Sequence, residues 1–470
     1  QAYLTETDQE IDLSKTDLLK SALQKVFELD FLSAKKAAIL DFASKFASEK
    51  FEIEITDFDL NPVGGFANDG VHLGNAIVIL LEAIVNSKLE IKTLNDIVKL
   101  DFASIDFKSL ITQELVDSVV EAVKELTKMN ILREALPTVV NYAKAKLIPE
   151  EYLGVVEALT LEKANLATDV DTIVEIIEIL ASSGVVSYFE TEDVNIEEVY
   201  NNIVGKGLAK KIESLGMLKD NAEKIIEAVL ALEVIGIELT DEERASLAEA
   251  NYHDEVVLGA KVVKKLYEAL EEIFRISDAT TYKELKAVLD SIKDNYSNYI
   301  TKDIVSPVLE AVELVLDSKV LAALLRPVME KYLTQEVLGD YYEIASLNEE
   351  YQAQDLLSDL RSIIGAVNEL VEFGAVELAQ AYLTETDQEI DLSDGNIEHL
   401  TNAISKLFDL EILKVKKETI FDLVSKIASE KLEIEITDFD LNPVGGFAND
   451  GVHLGNAIKH LIKAVNVSGL

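Results

Sequence analysis

The chain has no cysteine and no tryptophan, and only 6 prolines and 5 histidines in 470 residues. Without cysteine there can be no disulfide framework, no thiolate metal site and no thiol nucleophile. The shortage of proline leaves few enforced breaks, so helices can run long. Positive charge is scarce as well: 43 Lys and Arg stand against 87 Asp and Glu, a net charge of −44. Such a surface repels phosphate backbones and anionic lipid, which excludes nucleic acid as an expected partner. Long apolar runs are also missing. The most apolar, Ile77 to Val85, is short and contains Glu82, so neither a membrane span nor a signal peptide is expected in this window.

Signatures of catalysis are equally thin. No GxSxG, Walker loop, GxGxxG or HExxH occurs, and the glycines at 64–65 and 70–74 are not followed by the lysine that a phosphate cradle needs. His72, His253, His399, His453 and His460 show no metal-ligand spacing. They read as surface or helix-start residues. No enzymatic activity is expected.

What is present is repetition. Residues 52–77 read EIEITDFDLNPVGGFANDGVHLGNAI, and 433–458 repeat them letter for letter. A second identity, QAYLTETDQEIDLS, covers 1–14 and 380–393. The last ninety-odd residues are therefore a second copy of the first, as in a window cut from a longer tandem array. A weaker internal period recurs. Polar clusters feed apolar helices from Gly65, Lys163, Glu249 and Glu349. Interrupted helix patterns recur near Asp30, Asn130, Gly216, Ser318 and Leu410. Pro137 and Pro327, 190 residues apart, share one register. The expected modules are 1–86, 87–184, 185–275, 276–377 and 378–470, the last repeating the first.

Within a module the apolar spacing is helical, as in the stripe Ile173, Val174, Ile176, Ile177 and Leu180. Capping boxes at Thr240/Glu243, Thr281/Glu284 and Ser346/Glu349 mark helix starts. The alternation around Phe51, Ile53 and Ile55 predicts a short extended arm at 51–56 and 432–437. The fold class predicted is all-α: an elongated tandem array of helical modules of about 95 residues, an α-solenoid or a rod of small bundles.

Two readings apply to the duplicated loop. Asp57, Asp59 and Asn61, with Asp69, space oxygen ligands as calcium loops begin, and Asp438, Asp440, Asn442 and Asp450 copy them. Pro62 stands where such a loop needs glycine and Asn68 where it needs glutamate, so a structural turn is the preferred reading and no cofactor is expected. The loop's apolar residues, Phe58, Leu60, Val63 and Phe66, with Phe439, Leu441, Val444 and Phe447, then read as an interface. Scattered aromatics such as Tyr188-Phe189 and Tyr341-Tyr342 read as seam fillers between helices.

Identical long modules in series supply length and avidity rather than chemistry. The function expected is structural: a tandem-repeat segment of a large surface protein, acting as stalk, filament or adhesive fibre, extracellular or at the cell surface. Its partners would be neighbouring repeats, further copies of itself, or a host or cell-surface protein. The alternative is an α-solenoid scaffold that binds a protein or peptide.

Overall fold

The computed structural model describes residues 16–51, 65–87, 93, 110–133, 148–149, 152–158, 163–386, 391–432 and 446–468. Among these there are 25 α-helices, two short 3₁₀ turns and no strand. The all-α class predicted from periodicity is what the backbone shows. The chain forms two compact units, Gln1–Val229 with Thr280–Glu284, and Leu230–Ala279 with Leu285–Leu470.

In the first unit, α1 (Thr16–Phe27), α2 (Asp30–Ala34), α3 (Gly65–Asn86), α4 (Gln113–Thr127), α5 (Lys163–Ala181), α6 (Leu208–Glu213) and α7 (Gly216–Lys219) follow the chain. Helix α3 packs on α1 and on α4, and α5 packs on α4, α6 and α7. In the second unit the chain runs through α8 (Tyr252–Ser277), α9 (Lys302–Leu316), α10 (Lys319–Tyr332), α11 (Ala353–Phe373), α12 (Asp394–Phe408), α13 (Glu411–Val415) and α14 (Gly446–Ser468). Here α8 packs on α9, α9 on α11, α11 on α12 and α12 on α14. In both units, then, a long helix commonly touches the long helix before it and the one after it.

Small residues let these helices approach. Ala76, Ala122, Ala311, Ala366 and Ala403 are all buried to within 2% of complete. Glycine does the same between α1 and α3, where a Cβ on Gly70 would overlap Phe27. The duplicate is equally tight: a Cβ on Gly451 would lie 2.5 Å from the Cβ of Phe408. Gly70 and Gly74 lie one turn apart, so the side of α3 facing α1 carries no side chain where contact is closest. Larger apolar residues such as Ile397 and Leu357 fill the remaining space. Full burial of one such side chain is worth about 1.5–3 kcal/mol.

Several local expectations are met and others are corrected. Thr240 and Glu243 form a reciprocal capping box, and Thr281 and Glu284 exchange the same pair of hydrogen bonds. Ser346 and Glu349 do not. Ser346 ends a helical turn and its hydroxyl donates back to Glu343, while α11 starts later, where Asp355 accepts the Gln352 amide at 2.8 Å. On α5 Val174 of the predicted stripe is buried and Ile173 and Ile176 are half-buried, whereas Ile177 and Leu180 are exposed, because the buried face also runs through Asp169, Thr172 and Ile179. Phe51 and Leu432 are the last residues of helices Lys36–Phe51 and Lys417–Leu432, so the arm predicted at 51–56 and 432–437 does not begin where alternation places it. The rest of that arm lies outside the described residues, as does Pro137, whereas Pro327 sits buried inside α10. Among the described residues one stretch, Ala67–Asn86, is long and apolar enough to cross a membrane, with mean hydropathy 1.3. Its polar groups Asp69, His72, Asn75 and Glu82 all bond neighbouring helices.

Candidate functional site

The helices that begin at Asn130, Gly216 and Glu411 start without a side-chain cap of the usual kind. A helix leaves its first amides unbonded, and Ser, Thr, Asp or Asn at the N-cap normally accepts from them. At 215 and 410 the N-cap is leucine in extended conformation, which can accept nothing through its side chain. Both leucines are buried, as is Met129 before the helix that begins at Asn130. Their amides require an acceptor from elsewhere.

A carboxylate on the preceding long helix supplies it. Asp69 of α3 accepts the amides of Asn130 and Ile131 at 2.7 and 3.2 Å. Asp169 of α5 accepts those of Gly216 and Met217, both at 2.8 Å. Asp359 of α11 accepts those of Glu411 and Ile412 at 2.7 and 2.8 Å. The remaining case is a variant. Glu255 of α8 accepts the Lys319 amide at 2.7 Å and the Ser318 hydroxyl at 2.6 Å, while that hydroxyl caps Leu321 within its own helix.

Burial makes these bonds matter. Asp69 is 0% exposed, and Asp169 and Asp359 are nearly as enclosed. A buried carboxylate without donors would be strongly disfavoured, whereas each hydrogen bond to a charged group contributes about 1.5–3 kcal/mol. The positive end of the short helix favours the negative charge further. At Asp359 a third donor joins, the hydroxyl of fully buried Tyr351 at 2.9 Å. Burial and then the bond to Asp359 push the Tyr351 phenol well above its ordinary range.

A second polar contact accompanies two of these junctions. His72 Nδ1 lies 3.0 Å from Glu125 of α4, and the Asn75 amide donates to the same carboxylate at 2.6 Å. His399 of α12 lies 2.7 Å from Glu369 of α11, which also accepts from Lys406 at 3.0 Å. Burial raises the Glu125 carboxyl, but hydrogen bonds from Lys128, Asn75 and His72 outweigh it and hold it at about 2. Glu369 moves the same way: burial raises it, and His399 and Lys406 lower it more.

The predicted site residues are scattered differently. Asp57, Phe58, Asp59, Leu60, Asn61 and Val63, with Asp438, Phe439, Asp440, Leu441, Asn442 and Val444, lie outside the described residues, and so does the side chain of Phe66. Phe447 is half-buried at the second position of α14. Asp69, proposed above as a late calcium ligand, has both oxygens engaged by backbone amides. Among the described residues no amide donates to Asp450, its copy. Among the described residues no group of three or more His, Asp and Glu is placed to hold a metal ion. A cleft of about 640 Å³ beside α3 and α4 gathers Glu82, Glu114, Glu121 and Glu190 with no histidine or lysine among its lining. Comparison with protein-family models, curated proteins and solved structures finds no match.

Proposed function

We propose that the chain is a structural tandem-repeat segment of a large surface protein, serving as stalk, filament or adhesive fibre. The observation that carries this reading is the recurrence of one joint, a carboxylate on a long helix accepting the first two amides of a following helix, at three places along the chain, with a variant at Glu255. A repeated joint is a means of building length. A single helical repeat exposes apolar faces at its two ends, and stacking repeats in series is the usual way to cover them. The prominent polar groups of this fold serve joints between helices, and a saturated, enclosed carboxylate is poorly placed to meet a substrate.

Small-angle scattering tests the elongated arrangement. A compact globule of this length would have a radius of gyration of about 23 Å. The serial stack predicts a value well above that, and a value close to it would overturn the reading.

A further inference from the structure

Tyr188 and Tyr282, far apart in the chain, bring their rings together at the surface of the first unit. Tyr188 stands on the short helix Ser187–Thr191, and Tyr282 is the first residue of the helix Tyr282–Asn295. The ring centroids are 5.9 Å apart at an interplanar angle of 80°, an edge-to-face contact, and Phe189 stands edge-on to Tyr188 at 6.1 Å. Backbone bonds hold the pair in place. The Tyr282 amide donates to the Val194 carbonyl at 2.9 Å, and Asn195 and Thr281 form an antiparallel bridge. Asp193 accepts the Lys283 amide at 2.9 Å, and the Lys283 ammonium donates to the Thr191 carbonyl at 3.0 Å.

Rings that only filled a seam would be enclosed, as Tyr351 is, with its hydroxyl spent on Asp359. These are not. Tyr188 is 37% exposed and Tyr282 41%. Among the described residues neither hydroxyl bonds another group. Both phenols are therefore open to a reagent in solution while their rings stay in contact. The chain also has no cysteine, so a covalent tie between distant segments has to come from some other side chain.

We propose that Tyr188 and Tyr282 are a modification site, joined as dityrosine when the protein meets hydrogen peroxide and a peroxidase. Each phenol gives up one electron and its hydroxyl proton. The two phenoxyl radicals couple through ring carbons ortho to oxygen, forming one C–C bond, and the hydrogen on each coupled carbon moves to its oxygen and restores the phenol. Two electrons and two protons leave in all, and one hydrogen peroxide takes them up to become two waters. The contact selects this pair. In an edge-to-face arrangement a ring edge already faces the partner ring, and groups held together react as if at very high concentration, ahead of any encounter between chains.

The bond closes everything between the two tyrosines into a covalent loop, and a cross-link over a long loop restricts the unfolded chain strongly. The oxidant rests on the surface location proposed above, where peroxide and peroxidases are met. The two readings can still fail separately. An experiment that supplies the oxidant tests the tyrosine pair whatever the radius of gyration, and a pair that does not couple leaves the serial stack untouched.

Treatment of the dilute 470-residue chain with a haem peroxidase and hydrogen peroxide, followed by digestion and mass spectrometry, tests this. The monomer is expected to yield a linked peptide pair containing Tyr188 and Tyr282, lighter by two hydrogens than the separate peptides, and its urea midpoint should rise on oxidation. Tyr188→Phe and Tyr282→Phe keep the rings and the packing, and each should lose both the linked pair and the rise. Tyr382→Phe, which removes a tyrosine that is 85% exposed, should keep both, since contact and not exposure selects the pair. Dityrosine formed only between molecules, a linked pair drawn from other tyrosines, or a midpoint shift that survives in either single variant would each overturn the proposal.

Discussion

Asp359 and Glu411, 52 residues apart in the chain, are joined by a 2.7 Å hydrogen bond from the Glu411 amide to a carboxylate that is almost wholly buried. Its other oxygen takes Ile412 and the Tyr351 hydroxyl. Asp359→Ala therefore strands three donors and should destabilise the second unit by about 2–4 kcal/mol. Amide hydrogen exchange checks this locally. Protection of Glu411 and Ile412 should fall, while that of Asn130 and Ile131 in the first unit stays as in the wild type.

The close approach of α1 and α3 predicts that Gly70→Ala costs about 1–3 kcal/mol through overpacking against Phe27. Gly451→Ala should behave likewise against Phe408. Gly395, with no neighbour near its missing Cβ, serves as the control, since alanine there should be neutral or mildly stabilising. Urea unfolding of the three variants ranks them, and equal midpoints would contradict the packing argument.

Glu125 gives a signed prediction for acid. Its carboxyl is held at about 2 in the fold against an ordinary value near 4.5. A depressed carboxylate contributes stability that is present above the unfolded value and lost as pH falls from 4.5 towards 2. The contribution at neutral pH is on the order of 2–3 kcal/mol. Glu125→Gln should thus melt below the wild type at pH 7, and the gap should close as the pH is lowered through 4 and 3. A gap independent of pH would mean that charge is not what Glu125 contributes.

Calcium separates the two readings of the DFDLN loop. With both oxygens of Asp69 spent on amides, we expect the same melting curve in calcium and in chelator at matched ionic strength. A calcium-dependent rise that disappears when Asp57, Asp59, Asp438 and Asp440 become asparagine would restore the loop as a cation site.

Helix content was readable from the sequence because it rests on local spacing, and Thr240/Glu243 and Thr281/Glu284 were readable because a capping box is complete within four residues. Ser346/Glu349 carries the same letters, but an Asn348 turn intervenes, its side chain taking the amides of Glu350 and Tyr351, and the helix starts beyond it. The joints were half visible. Both the polar clusters holding Asp69, Asp169 and Asp359 and the breaks at Asn130, Gly216 and Leu410 stood out as landmarks. What did not stand out was that one completes the other. Leucine or methionine at a cap position gives no local sign of its acceptor, and that acceptor lies 47 to 62 residues earlier, by the bonds to Asp169 and Asp69. The apolar stripe on α5 is met at Val174, Ile173 and Ile176 and missed at Ile177 and Leu180, since the buried face also takes in Asp169 and Thr172, which a hydrophobic count passes over.

The variable distance between each carboxylate and the amides it receives also bears on how such a protein changes over generations. Connecting segments of unequal length span the same joint, so insertions and deletions there leave the joint intact. Every duplicated segment, moreover, brings both a donor face and an acceptor carboxylate of its own. In the serial array proposed above, recombination that adds or removes a whole period would create no junction that lacks its cap, so such a gene could lengthen or shorten in single steps without a compensating mutation.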